Sequence, residues 1–194
     1  FADDQETVQD LLAIKDDPKE IEDRFYRELE FGTAGMRGVL GAGTNRLNKY
    51  NVRRVSRALA KYILTTPDGA EKGVAIAYDS RRKSTEFARE AALVLCAAGI
   101  RVFLYESLRP VPVLSFTVRH LGCIAGIVIT ASHNPKQYNG YKAYWTDGGQ
   151  MPPESVKGIT DRLPDTTDAE SLPMDEGEAL EKGLLTYIGK DVDD

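Results

Sequence analysis

The sequence predicts an α/β fold in three layers: a mixed, mostly parallel sheet with helices on both faces. Short apolar runs at 73–78, 100–105 and 124–129 predict strands. Between them, apolar residues recur at helical spacing around 84–98 and 112–121. Strands that alternate with helices at such short intervals are typical of βαβ units, whose crossover helices cover a parallel sheet.

The N-terminal segment, 1–30, is predicted to be helical. Asp17 suits an N-cap, Pro18 the first helical position, and Glu20 follows three residues after the cap. The apolar face of this helix should be formed by Ile21, Phe25 and Leu29. Its outer face should carry the ion pairs Glu20/Arg24 and Asp23/Arg27.

Four further elements are predicted from local pattern. A glycine-rich strand containing Arg37 spans 31–40, and an amphipathic helix around 52–63 ends near the turn at 66–69. Ser84 is a suitable cap for the helix after the 73–78 strand. Near the C-terminus, a short helix is predicted at 152–163. A last helix should bury Leu180, Leu184, Tyr187 and Ile188.

Composition excludes some partners. A formal charge of −5 disfavours nucleic acid and anionic membranes, and the basic cluster Arg53, Arg54, Arg57 and Lys61 is predicted to be the solvated face of a helix. Cys96 and Cys123 lie in apolar runs, as expected of buried free thiols in a reducing compartment. Because no apolar run reaches membrane-spanning length and no signal peptide opens the chain, we expect a cytoplasmic protein.

The stretch from Ile127 to Trp145 carries the clearest chemical signal. The strand that precedes it stops at Thr130-Ala131-Ser132-His133-Asn134-Pro135, which places Ser132 on a tight loop at a strand exit. Asn139-Gly140 is a hairpin-type dipeptide, predicted to turn the chain back into a short strand at 141–145. That return brings Lys142 toward Ser132. A hydroxyl and an amine that converge at a loop can carry a group on oxygen and move a proton beside it.

Other residues near this loop have structural as well as functional interpretations. Arg37, between glycines, is a candidate anion ligand, with pairing to a carboxylate as the structural alternative. His133 is expected to support the loop rather than form a dyad with Ser132, because adjacent side chains rarely face each other. Arg81 and Arg82 are predicted to be solvated, although Arg81, at a strand exit, is also a candidate ligand-binding residue. Tyr138, Tyr141 and Trp145 are expected to pack around the loop.

Glycines at 41 and 43 suggest a dinucleotide fingerprint, but its third glycine would fall at Arg46, so we reject that interpretation. His120 and His133 lie too far apart in the sequence to predict a metal site, and His120 is expected to be structural or exposed.

The segment 130–135, followed by Asn139-Gly140-Tyr141-Lys142, closely resembles the active-site loop of the α-D-phosphohexomutases. Residues 31–38, Phe-Gly-Thr-Ala-Gly-Met-Arg-Gly, are similar to the N-terminal signature of the phosphoglucomutase and phosphopentomutase branch, and 79–81 lies where the family has a similar loop. The resemblance spans roughly 25–163 and corresponds to the first domain of the family. It implies an N-terminal helical segment (1–30), domain 1 (31–164), and a polar linker and helix (165–194) leading toward an absent second domain.

The resemblance also implies roles for single residues. Ser132 would be the phosphoserine that donates a phosphoryl group to a phosphosugar and takes one back, by way of a sugar bisphosphate. Lys142 would be the general acid and base, and Arg37 would stabilise charge on the phosphoryl oxygens. His133 and Asn134 would help to hold the phosphoserine.

A Mg²⁺ ion is implied as well. In the family it is bound by a phosphoserine oxygen, here that of Ser132, and by aspartates of an Asp-x-Asp-x-Asp-Arg loop in the second domain, which this sequence lacks. We interpret Asp191-Val192-Asp193 as solvated tail, and we expect the chain to be an inactive piece of a longer enzyme. Two alternatives stay open: a phosphopentomutase of the same branch, and a catalytically silent phosphosugar-binding domain.

Overall fold

The computed structural model describes residues 4–33 and 35–193, without the side chains of residues 191 and 193. The strands are β1 (Phe31–Gly32), β2 (Gly35–Val39), β3 (Val74–Tyr78), β4 (Val102–Tyr105), β5 (Ala125–Ile129), β6 (Tyr138–Trp145) and β7 (Leu185–Ile188). The helices are α1 (Gln5–Ala13), α2 (Pro18–Phe25), α3 (Lys49–Ile63), α4 (Gly69–Lys72), α5 (Ser84–Ala97), α6 (Val111–His120), α7 (Pro153–Thr160), α8 (Glu176–Glu181) and α9 (Lys190–Asp193).

The strands form one sheet in the order β1-β2-β6-β5-β3-β4-β7. Strands β5, β3, β4 and β7 run parallel, whereas β1, β2 and β6 form an antiparallel margin on the β5 side. The larger apolar core includes residues of α3, α5 and α7 on one face, and a smaller core beneath α6 lies on the other. The predicted three-layer fold is therefore confirmed.

The N-terminal helix begins as predicted but packs differently. Asp17 caps α2 and accepts hydrogen bonds from the backbone amides of residues 19 and 20. However, α2 ends at Phe25, and Ile21 and Phe25 are 37% and 44% exposed, so the predicted apolar face is wrong. Charged side chains dock the helix instead. The pairs are Arg24 with Asp10 and Glu20, and Arg46 with Glu20 and Asp23, which replaces the predicted Asp23/Arg27 pair.

The predicted last helix is also wrong. Helix α8 ends after Glu181, and Gly183 takes a left-handed backbone angle, φ 65°, that redirects the chain. The segment that follows is strand β7, which pairs in parallel with β4 and buries Leu185 and Ile188. Leu180 is left exposed. The edge of β4 is open to backbone pairing, and a strand that pairs there buries both Leu185 and Ile188. The segment therefore forms a strand although its apolar residues recur at helical spacing.

Two smaller predictions also change. The basic residues of α3 are half-buried rather than solvated, because Arg53 pairs with Glu90, Arg54 with Glu28, and Lys61 with Glu170. Cys96 and Cys123 are free and buried as expected, and burial raises the pKa of each thiol to about 12. Within 4–33 and 35–193, no helix is long and apolar enough to cross a bilayer.

Candidate active site

The serine loop joins two antiparallel neighbours, β5 and β6. Their register places Ile129 opposite Tyr141, and Val128 opposite Lys142. Strand β6 begins at Tyr138, so Asn139 and Gly140 lie inside it and face β2, and the predicted Asn-Gly turn is wrong. The chain instead reverses through 130–137, at the carboxyl end of the parallel strands. Ligands usually bind at this end of such a sheet.

Ser132 lies in this loop in an uncommon backbone conformation. Its φ is 57°, in the left-handed region, and its side chain is exposed. The backbone N–H donates to Thr130 Oγ1 at 2.9 Å. The Oγ lies 3.3 Å from Nδ1 of His133. The expectation that these adjacent side chains face apart is therefore wrong, because the left-handed turn at Ser132 swings them together.

Arg37 connects strand β2 to the loop. Its Nη1 donates to Oδ1 of Asn134 at 2.7 Å, and among the described residues it has no carboxylate partner. The alternative role for Arg37, an ion pair with a carboxylate of this chain, is therefore not seen in the part of the chain that the structure describes. Its exposed guanidinium can instead bind a ligand anion.

Lys142 shares a face of the sheet with Arg37. Its strand neighbours Tyr141 and Ala143 belong to the larger core, so Lys142 points to the opposite face. Arg37 is opposite Gly140, which makes Lys142 its diagonal neighbour, and such neighbours lie about 7–8 Å apart. Within the described part of the chain the half-buried Lys142 has no hydrogen bond or ion pair. Its amine is therefore available to a ligand.

A second loop, at the exit of β3, holds the serine loop in place. Arg81 is mostly buried, and its guanidinium donates to loop carbonyls at Ser132, Asn134, Pro135 and Tyr138. The prediction that Arg81 is solvated is wrong, whereas Arg82 is solvent-exposed as expected, at 74%. The signal that could have found Arg81 is topological: its loop follows β3, which pairs with β5.

A buried polar chain joins the two loops below the surface. Ser84 does not cap α5; the N-cap is Lys83, which makes no side-chain cap bond. The Ser84 hydroxyl donates to Asp79 and accepts from Nδ2 of Asn139, which is fully buried. Asn139 also donates to the carbonyl of Arg82. Both residues thus fix loop positions, a role that their local sequence did not indicate.

Tyr141 packs beside the loop as expected: it is opposite Ile129 and is fully buried against Phe31. Trp145 packs against Tyr62 but pairs with Ala125 at the end of the hairpin away from the loop, so its predicted position is wrong. His120 is exposed and stacks on Phe116. The loops themselves border an open cleft lined by Leu40, 79–82, Ser132, Asn134, Lys136 and Gln137.

The described side chains do not fit a Mg²⁺ site on their own. They contain no cluster of three histidine, cysteine or carboxylate groups that could hold a metal ion. Asp79, the carboxylate that lines the cleft, already accepts from Ser84 and pairs with Arg81. The prediction of a solvated tail at 191–193 is wrong for Val192, which lies in α9 and is buried in the smaller core, while the side chains of Asp191 and Asp193 lie outside the described set.

An exposed Ser132 at the carboxyl edge of the parallel strands, bordered by the strands that carry Arg37 and the unpaired Lys142, is suited to a phosphorylated ligand. Residues 28–170 match the family description "Phosphoglucomutase/phosphomannomutase, alpha/beta/alpha domain I". Since this match covers well over half of the chain, the chain belongs to the phosphoglucomutase/phosphomannomutase family and contains its domain I.

Named relatives agree with this assignment. The chain is 39% identical to a phosphopentomutase of Homo sapiens over 81% of its own length and 27% of that protein. It is 46% identical to a phosphoglucomutase of Staphylococcus haemolyticus over 67% of its length and 23% of that protein. A crystal structure of a phosphoglucomutase/phosphomannomutase family protein from Burkholderia thailandensis superposes with a TM-score of 0.59 at 26% identity, over 81% of this chain and 32% of that one. The chain thus spans about a quarter of the length of these curated relatives.

Proposed function

We propose that this chain is the phosphoserine-carrying domain of a cytoplasmic phosphoglucomutase-type enzyme that interconverts hexose 1-phosphate and 6-phosphate. The observation that carries the proposal is the exposed, left-handed Ser132 at a loop to which Arg37 is hydrogen-bonded through Asn134. Left-handed non-glycine residues cost about 1–2 kcal/mol and persist where the surroundings impose them, often at functional sites.

In the proposed reaction, a sugar hydroxyl oxygen attacks the phosphorus on Ser132, a new sugar O–P bond forms, and the Oγ–P bond breaks. Lys142 takes the proton of that hydroxyl, and a proton passes to the departing Oγ of Ser132. In the reverse step the Oγ gives up its proton and Lys142 returns one to the leaving sugar oxygen. The bisphosphate then reorients, and its other phosphoryl group returns to Ser132. Arg37 stabilises charge on the phosphoryl oxygens, while His133 and Asn134 orient the phosphoserine.

The complete enzyme is proposed to bind Mg²⁺, which would neutralise phosphoryl charge when bound. We assign its carboxylate ligands to a further domain, because the described side chains offer no suitable cluster.

The proposal is tested by the intact mass of the gene product that carries this chain. The wild type should hold one phosphoryl group, located by peptide mapping to Ser132, and Ser132→Ala should lack it. Ser80→Ala is the matched control, because Ser80 is an exposed serine in the same cleft. An unphosphorylated wild type would favour the silent phosphosugar-binding domain and overturn the mutase proposal.

A phosphopentomutase is the second candidate, favoured by the human relative of that name, which matches 81% of this chain. Turnover of the gene product on ribose 1-phosphate and glucose 1-phosphate discriminates the two. A higher kcat/KM on glucose 1-phosphate supports our first proposal, and the reverse result supports the second.

A further inference from the structure

The serine loop has little internal hydrogen bonding to hold its strained conformation. Its internal bonds run from Ser132 N–H to Thr130 Oγ1 at 2.9 Å, from Asn134 N–H to the Ala131 carbonyl at 3.1 Å and from Tyr138 N–H to the Pro135 carbonyl at 3.0 Å. Left-handed φ at Ser132 is unfavourable by itself, so contacts from elsewhere must maintain it.

Arg81 supplies those contacts. Its Nη2 donates to the carbonyls of Ser132 at 2.8 Å and Asn134 at 2.7 Å, and its Nη1 donates to those of Pro135 at 3.0 Å and Tyr138 at 3.1 Å. These bonds use all the terminal hydrogens of the guanidinium. The remaining Nε lies 3.5 Å from Asp79 Oδ2. One planar group thus binds the loop at four carbonyls between Ser132 and Tyr138.

The orientation of the loop peptides follows from these bonds. Because a trans peptide is planar, a carbonyl of Ser132 directed at Arg81 turns the N–H of His133 to the opposite side. In the same way the Pro135 carbonyl turns the N–H of Lys136 away. Neither N–H has an acceptor among the described residues. Arg81 therefore keeps negative carbonyl oxygens on its own side and leaves amide donors free.

Arg81 is itself held firmly. Asp79 accepts its backbone N–H at 2.9 Å and the Ser84 hydroxyl at 2.7 Å, and Ser84 accepts from the buried Asn139 at 2.9 Å. Through Asp79, Arg81 is thus tied to Ser84 of α5 and Asn139 of β6, which lie outside the loop 130–137.

We propose that Arg81 is a positioning residue for phosphoryl transfer, which sets the orientation of Ser132 through the loop carbonyls. This inference rests on the proposed function. A lysine would keep the charge but has only three donors from one point, and it could not span the carbonyls that Arg81 joins. Arg81→Lys is therefore the informative variant. Arg82→Lys is its neighbour and control, because among the described residues the Arg82 side chain bonds to Glu6 and not to the loop.

Amide hydrogen exchange of this chain tests the structural step. In Arg81→Lys, the amides of Asn134 and Tyr138 should exchange about tenfold faster or more, while those of β5 and all amides of Arg82→Lys stay at wild-type rates. Unchanged rates in Arg81→Lys would overturn the inference whatever the protein catalyses.

Kinetics of the gene product test the functional step. Arg81→Lys should lower kcat about 100-fold, as expected for a misplaced reacting group, with a much smaller change in KM. Methylguanidinium should restore part of the activity to Arg81→Gly, because it can replace the missing guanidinium. Wild-type kcat in Arg81→Lys, with Ser132 phosphorylated, would overturn this inference alone. A wild type without phosphate on Ser132 would instead overturn the proposed function.

Discussion

Gly140 lies where the serine hairpin and β2 approach each other closely. A Cβ at this position would meet the Thr130 carbonyl oxygen at 2.7 Å and the Met36 carbonyl oxygen at 3.0 Å. Both neighbours are backbone atoms, which cannot move aside without opening the sheet. The glycine that suggests a turn in the sequence is thus required by close packing of strands.

Gly140→Ala should therefore destabilise the chain by about 1–3 kcal/mol, the usual cost of overpacking. Urea denaturation measures this. Gly32→Ala is the matched control, because Gly32 also lies in a strand but a Cβ there meets nothing within 4 Å. Equal midpoints for the two variants would show that the contact with Thr130 is not as close as the structure indicates.

Single residues also mark the limit of sequence-based prediction at the site. Ser132, Lys142 and Arg37 were identified from the loop, the lysine in register and the glycine-rich strand, and the structure places Arg37 and Lys142 on one face. Their catalytic roles stay a prediction. Arg81 and Asn139 were misjudged because their partners lie more than 50 residues away along the chain. No local pattern encodes contacts of that kind.

Helix α1 shows how an element without buried residues stays in place. Asp4, its N-cap, accepts from Thr7, from the Tyr50 hydroxyl at 2.9 Å and from Lys49 at 2.8 Å. Burial alone would raise the pKa of Asp4, but the bonds from Lys49, Thr7 and Tyr50 outweigh it and lower that pKa well below its usual range. A lowered carboxyl pKa means that the charged form stabilises the docked helix.

This stabilisation should be present above about pH 4, the unfolded value, and be lost as the pH falls toward the folded pKa. At pH 7, Asp4→Asn should weaken the docking of α1 by roughly 1.5–3 kcal/mol. Hydrogen exchange of the α1 amides, corrected for intrinsic rates, measures the local opening.

The difference between wild type and Asp4→Asn should shrink below pH 4. Asp16→Asn is the control, since Asp16 is 88% exposed. A difference that persists in acid would show that the carboxylate charge does not hold α1.

Strand β7 gives a second test at the level of elements. Leu185→Ala should cost about 2–5 kcal/mol, because Leu185 is 3% exposed, whereas Leu180→Ala should change stability by about 0.5 kcal/mol or less. A continuous C-terminal helix, as the periodicity predicted, would give the larger loss at Leu180. Urea denaturation of both variants decides between the two structures.

At the scale of the whole molecule, the chain spans about a quarter of the length of its curated relatives and carries one side of a proposed active site. The serine loop, Arg37 and Lys142 are present, but a metal-binding cluster is not found among the described side chains. The cleft is open to solvent, so a phosphosugar bound in it would contact this chain on one side only.

We therefore expect the 194-residue chain alone to convert no glucose 1-phosphate to the 6-phosphate, even with Mg²⁺ and a sugar bisphosphate supplied. A coupled dehydrogenase assay measures this, with a complete phosphoglucomutase as the positive control. Turnover that is abolished by Ser132→Ala would contradict the expectation and show that these residues suffice.

Local patterns were enough to predict the α/β class and the serine loop at a strand exit, because apolar periodicity and turn residues act over a few positions, and two motifs indicated the family. The strand β7 in place of a helix, the position of Asn139 and Gly140 within a strand, and the bonds of Arg81 to the loop were settled by long-range pairing. Those outcomes depend on which strand edges and carbonyls lie within hydrogen-bonding distance once the sheet has formed. That proximity is set by strand order and not by neighbours in the chain.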